Sequence, residues 1–145
     1  MQTFLPYASF EQSAQVLDYK RLGKQRVEAM QIYQIIGNKQ FEDIPLKFKT
    51  RAWVNHPAVN MWRGYVDALA SYYNYIRQEW INRGYKNTMP KLTVPNDITM
   101  PPWLGDDKFH ASHRSNLLRK FAEHYSKFGW TEPNDMEYVW PVKRN

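Results

Sequence analysis

The chain has 145 residues, enough for one domain with a real hydrophobic core, and its 43% apolar and 16% aromatic content excludes a disordered sequence. Cysteine is absent, which removes disulfides, thiolate metal sites and cysteine nucleophiles. A net charge of +6 favours an anionic partner: nucleic acid, a phosphorylated ligand or an anionic membrane surface.

Met1 to Pro6 is short and apolar, and the first long helix is expected from Ser9. Ser9 with Gln12 three residues on has the form of a capping box. The helix runs to Ile36, with Gly37-Asn38 as its stop and Gly23 as a kink within it. Lys39 to Thr50, with Pro45 and three lysines, reads as a loop. A second helix starts near Pro57, a favoured first-turn residue, and ends at Arg83-Gly84. Along it Trp62, Val66, Leu69, Tyr73, Ile76 and Trp80 repeat at helical spacing and form a core-facing stripe.

The stretch from Tyr85 to Pro102 is rich in proline. It reads as an ordered loop packed on the helices, because Leu92, Val94, Ile98 and Met100 need burial. A third helix is expected over Ser112 to Tyr125, with Leu117, Leu118 and Phe121 facing inward. The apolar tail from Tyr138 to Val142 should dock as an extended segment. There is no internal repeat, and no apolar run is long enough to span a membrane. The first residues lack a signal-peptide pattern, so a cytoplasmic protein is expected. The sum is an all-α fold: one domain over residues 1–145, with about three main helices and long ordered loops.

The segment DYKRLGKQRVE, Asp18 to Glu28, concentrates the charge. On a helix Asp18, Arg21, Gln25 and Glu28 fall within an arc of roughly 80° that apolar residues share. Charges on such a face are costly unless they pair or bind something. Two readings stand side by side. One is a polar pocket, with Arg21 and Gln25 donating and a carboxylate acting as acid or base. The other is a buried ion-pair network. Lys20 and Lys24 lie on an outward face, with Arg26 to one side, and suit phosphates.

A second basic group, His113, Arg114, Arg119 and Lys120, sits in SHRSNLLRK. His56 and Arg63 flank the start of the second helix, where His56 before Pro57 fits a cap better than a catalyst. His110 and His113 stand three residues apart, but no third ligand is evident, so no metal and no cofactor is expected. No GxGxxG, P-loop or GxSxG motif is present.

Taken in order, SAQVLDYKRLGKQRV, NHPAVNMWRGY, WINRGYKN, SHRSNLLRK and HYSKFGW resemble the pyrimidine-dimer DNA glycosylase family over nearly the whole chain. RLGKQRVE, PPWLGD and YVWPV look closer still to its broad bacterial and phage branch. The resemblance implies an all-α fold and DNA as partner. It also implies a nucleophilic N-terminal α-amine that forms an imine at the sugar C1′, releases the base and cuts the strand by β-elimination.

Two positions depart from that pattern. Gln2 stands where the family exposes a small residue after Met removal, which makes Met1 the bearer of the amine, or Gln2 on a trimmed chain. Arg21 stands where the family has its catalytic glutamate, leaving Asp18 and Glu28 as the carboxylates available to replace it. The expected function is a glycosylase and abasic-site lyase on damaged or modified bases in double-stranded DNA. A non-catalytic binder of distorted DNA and a nucleotide-binding small-molecule enzyme are the alternatives.

Overall fold

Asp18 divides what the sequence pattern reads as one helix. The computed structural model, which describes residues 1–37 and 54–142, has α1 over Phe10–Val16 and α2 over Tyr19–Gly37. Leu17 between them is extended, with ψ 136°. Asp18 then opens α2: its carboxylate accepts the Arg21 N–H at 3.5 Å and its carbonyl accepts the Leu22 N–H at 2.8 Å. A short acidic side chain captures free N–H groups at a helix start, so the break falls here. The open carbonyls of α1 are taken by Arg83, which donates to Gln15 O at 3.1 Å, and by His124, which donates to Val16 O at 2.9 Å. Ser9 caps α1 as expected, accepting the Gln12 N–H at 3.1 Å. The loop expected over residues 39–50 and the stop at Asn38 lie outside the described residues.

Gly23 is not a kink. A Cβ there would come within 2.8 Å of the Trp80 ring, so glycine lets α2 and α4 approach closely. Along this contact Leu22, Ala29, Met30 and Ile32 of α2 are wholly buried. Burying Leu22, Met30 and Ile32 contributes roughly 1.5–3 kcal/mol each.

The second expected helix also splits, into α3 over Pro57–Asn60 and α4 over Val66–Asn82. Gly64, at φ +86°, turns the chain between them in a region that other residues enter only with strain. Trp62 therefore lies in the turn, yet it is fully buried. Leu69, Tyr73, Ile76 and Trp80 carry the predicted stripe on α4, which closes at Arg83 with Gly84 at φ +87°.

The proline-rich loop is ordered by side chains of α4. Asn74 exchanges two hydrogen bonds with Leu92, donating at 2.8 Å and accepting at 2.9 Å. Tyr73 donates to Pro90 O at 2.6 Å and Arg77 to Met89 O at 2.9 Å. Leu92 is buried, but Met100 is exposed, against expectation.

The third helix starts earlier than its apolar pattern suggested. Asp106 caps it by accepting the Lys108 N–H at 3.0 Å, and α5 runs over Asp107–Lys120. Phe121, at φ −153° and ψ 70°, breaks the helix, and its ring turns outward instead of inward. A short α6 over Ala122–Tyr125 follows. The tail docks on α5, where Ser112 Oγ accepts the Val139 N–H at 3.1 Å and Asn116 donates to Met136 O at 3.0 Å. The described residues are all-α, six helices with no strand, and the three long ones expected are α2, α4 and α5.

Candidate active site

A buried extended segment has no ladder of its own, so its peptide groups need partners from elsewhere. Residues Gln2 to Pro6 find them in side chains far away in sequence. Gln25 Nε2 donates to Gln2 O at 2.7 Å, and Gln25 Oε1 accepts the Phe4 N–H at 3.0 Å. The Tyr72 hydroxyl lies 2.9 Å from Phe4 O and 2.7 Å from Gln25 Oε1. Trp62 donates to Thr3 Oγ1 at 3.0 Å, and Arg114 donates to Pro6 O at 2.7 Å.

Leu5 is gripped on both sides by histidines. His113 Nδ1 accepts its N–H at 2.9 Å, and His110 Nδ1 donates to its carbonyl at 2.7 Å. A carbonyl only accepts, so His110 is protonated on Nδ1, while its Nε2 accepts the Gly105 N–H at 2.9 Å. His113 carries the opposite tautomer. Burial, then His110 and Arg114, push the His113 pKa down to about 3.

This clamp pins Met1 and Gln2 in a cleft of about 380 Å³. Helix α2 lines it with Lys20, Arg21, Lys24, Gln25 and Glu28; Lys120 of α5 and Tyr138 of the tail form the rest, with Phe4. The Glu28 carboxylate lies 3.4 Å from the Gln2 backbone nitrogen, 3.4 Å from Gln25 Nε2 and 3.9 Å from Lys24 Nζ. Four basic side chains thus face one carboxylate, a lining that favours an anion. Burial raises the Tyr138 hydroxyl to about 12 against the pull of Arg119 and Arg21, so it stays a neutral donor.

Of the two carboxylates on the Asp18–Glu28 arc, the fold brings Glu28 into the cleft. Asp18 is spent elsewhere. It accepts from Tyr125 at 2.5 Å and from Arg21 at 3.2 Å. Burial works to raise its pKa, but those hydrogen bonds outweigh it and hold the carboxyl below its ordinary value. The two readings of the Asp18–Glu28 arc therefore divide: Asp18–Arg21 is an ion pair, and Arg21, Gln25 and Glu28 line a pocket. Lys20 and Lys24 are exposed, as expected of an outward face, and that face forms part of the rim of the same cleft.

Several expected DNA contacts are placed otherwise. Gln25 is buried under the N-terminal segment, its amide fully engaged. His113 is wholly buried in the clamp. Arg114 forks onto Glu132 at 2.9 and 3.2 Å. Arg26 lies over the Trp80 ring at 4.7 Å and donates to Asn87 at 2.6 Å. His56 caps α3, accepting the Ala58 N–H at 3.0 Å, and Arg63 donates to Asn60 and Val54; neither lines the cleft. Arg119 is held by Asn116 beside Lys120.

No sequence pattern marks Tyr138 as a cleft residue, or Tyr72, Trp62 and the two histidines as the clamp. All of them meet the N-terminal segment through contacts remote in sequence. A pairing of a buried polar α4 or α5 face with an apolar N-terminus was the one available hint.

A family model described as pyrimidine dimer DNA glycosylase matches residues 1–93. The chain belongs to this family. The matched stretch holds the N-terminal segment, α1, α2, α3 and α4, and with them the Met1–Glu28 side of the cleft. A DNA glycosylase-type role, with DNA as partner, follows in general from the family. Lys120 and Tyr138 lie outside the matched residues. No curated protein and no solved structure matches the chain. No helix among the described residues is long and apolar enough to cross a membrane.

Proposed function

We propose that this pyrimidine dimer DNA glycosylase family member excises a damaged or modified base from double-stranded DNA and then cuts the strand at the abasic site. The reaction runs through an imine on the N-terminal amine. The observation that carries this reading is the backbone of residues 1 and 2 held beside the Glu28 carboxylate in a cationic cleft. The nucleophile is the Met1 α-amine; on a chain trimmed by one residue it is the Gln2 nitrogen, 3.4 Å from Glu28. It attacks C1′, and the base leaves. Glu28 then accepts the C2′ proton, and the 3′ phosphate departs by β-elimination. Lys20, Lys24, Arg21 and Lys120 hold the flanking phosphates.

Borohydride trapping on abasic and ultraviolet-damaged duplexes tests this. The chain should form a covalent adduct, and Glu28→Gln should lower the rate by about 10²–10⁴ while keeping duplex affinity. Binding without an adduct on either duplex would leave a non-catalytic DNA binder in its place.

A further inference from the structure

A buried amide N–H without an acceptor is costly in a folded protein, and one in the wall of a cleft marks a place for a ligand atom. Gln2 carries such a group. It lines the cleft, yet it is only 6% exposed. Its Oε1 accepts the Thr3 N–H at 2.9 Å, which fixes the carboxamide, while Nε2 reaches no acceptor within hydrogen-bond distance. The Tyr138 hydroxyl belongs to the same cleft. Burial pushes its pKa up to about 12, while Arg119, Arg21 and then the Gln2 carboxamide pull the other way. A carboxamide that favours the tyrosinate presents its N–H side to it, so Gln2 Nε2 and the Tyr138 hydroxyl are neighbours. The cations of this cleft suit phosphates. Two neutral donors side by side suit a carbonyl oxygen, which has two lone pairs.

Gln2 is bonded to Met1, and its backbone nitrogen lies 3.4 Å from Glu28, so the donor pair adjoins the attacking amine. We propose that Gln2 Nε2 and the Tyr138 hydroxyl are the leaving-group donors of this cleft, holding O2 of a pyrimidine while its glycosidic bond breaks. This rests on the N-terminal amine reaction proposed above and supplies the groups that receive the departing base. As the Met1 nitrogen bonds to C1′, the C1′–N1 bond breaks. Its electron pair passes onto the base, where O2, conjugated with N1, carries part of the charge. Both hydrogen bonds strengthen as that charge grows. The attacking nitrogen gives a proton to water, water returns one to N1, and the base is neutral again. A purine presents N3 at this position, a ring nitrogen with one lone pair in place of two, so one donor would stay unpaired.

The test sets two duplexes against each other with the full chain. One is ultraviolet-irradiated, so that a pyrimidine must leave; the other has a single abasic site, so that no base remains. Glycosidic cleavage of the first is read as strand breaks after hot alkali, and cleavage of the second is read directly, both in single turnover. Tyr138→Phe removes only the hydroxyl, and Gln2→Met keeps a long side chain at the second position. In each variant the rate on the irradiated duplex should fall about 10²-fold further than the rate on the abasic one. A role confined to seating the N-terminal segment would slow both reactions alike, so equal losses overturn the proposal. Cleavage of the abasic duplex by the native chain with no pyrimidine released from the irradiated one overturns it too. In both cases a borohydride adduct on the abasic duplex keeps the imine reading in place. No adduct on either duplex overturns the imine reading and the donor pair together.

Discussion

Acidification should loosen the N-terminal clamp, and His113 sets the size of the effect. Its ring is wholly buried among Phe4, Phe109 and Tyr138, with His110 and Arg114 as the charged neighbours. Its Nδ1 must stay unprotonated to accept the Leu5 N–H. The folded pKa is about 3 against an ordinary 6.5, so the unfolded chain takes the proton first as pH falls. The stabilisation is full above 6.5 and is lost on the way down towards 3. At 1.36 kcal/mol per unit, moving from pH 7 to about pH 4.5 should remove roughly 2 to 3 kcal/mol from this group alone.

Urea unfolding at the two pH values measures it in the native chain and in His113→Asn. The asparagine Oδ1 takes the place of Nδ1 as acceptor and does not titrate. The variant loses some stability at both pH values through the smaller side chain. The difference between the two chains in pH dependence isolates His113, because His110 and the carboxylates titrate in both. An equal pH dependence in the two chains would refute the reasoning.

Two further outcomes check the packing and the charge assignments. Gly23→Ala should destabilise by about 1–3 kcal/mol in thermal unfolding despite alanine's better helix propensity, because its Cβ meets the Trp80 ring at 2.8 Å; a more stable variant would show that α2 and α4 have slack. Lys24→Ala should lower the salt slope of duplex binding by about 1, whereas Arg114→Met should leave the slope unchanged and weaken the fold, since Arg114 is forked onto Glu132 and Pro6.

The legibility of this protein in its sequence follows the range of the interactions. Local signals were sufficient for Ser9 as a cap, for the α4 stripe and for the stop at Arg83-Gly84, because each depends on residues within a turn or two. The apolar periodicity ran across Leu17–Asp18 and across Gly64 without a mark. Asp18 and Gly64 make the breaks possible locally, but partners elsewhere hold them: Tyr125, Arg83 and His124 at the first, and the buried seat of Trp62 at the second. Phe121 was misplaced for a related reason, since α5 ends at Lys120 and the break turns the next side chain to another face.

The Asp18–Glu28 segment shows the same division at the site. Composition and spacing marked it as a polar cluster on a face that should be core, and they held both a pocket and an ion-pair network open. They had no means to separate Asp18 from Glu28, which stand on one arc. Tyr125 binds Asp18 from the far end of the chain, and the N-terminal segment settles against Glu28. The sequence by itself determined the all-α class, the excess of positive charge and the residues able to do chemistry. Tertiary structure alone decided which of them share a cleft, because the groups that sort them, Met1, Glu28, Lys120 and Tyr138, meet only when the helices pack.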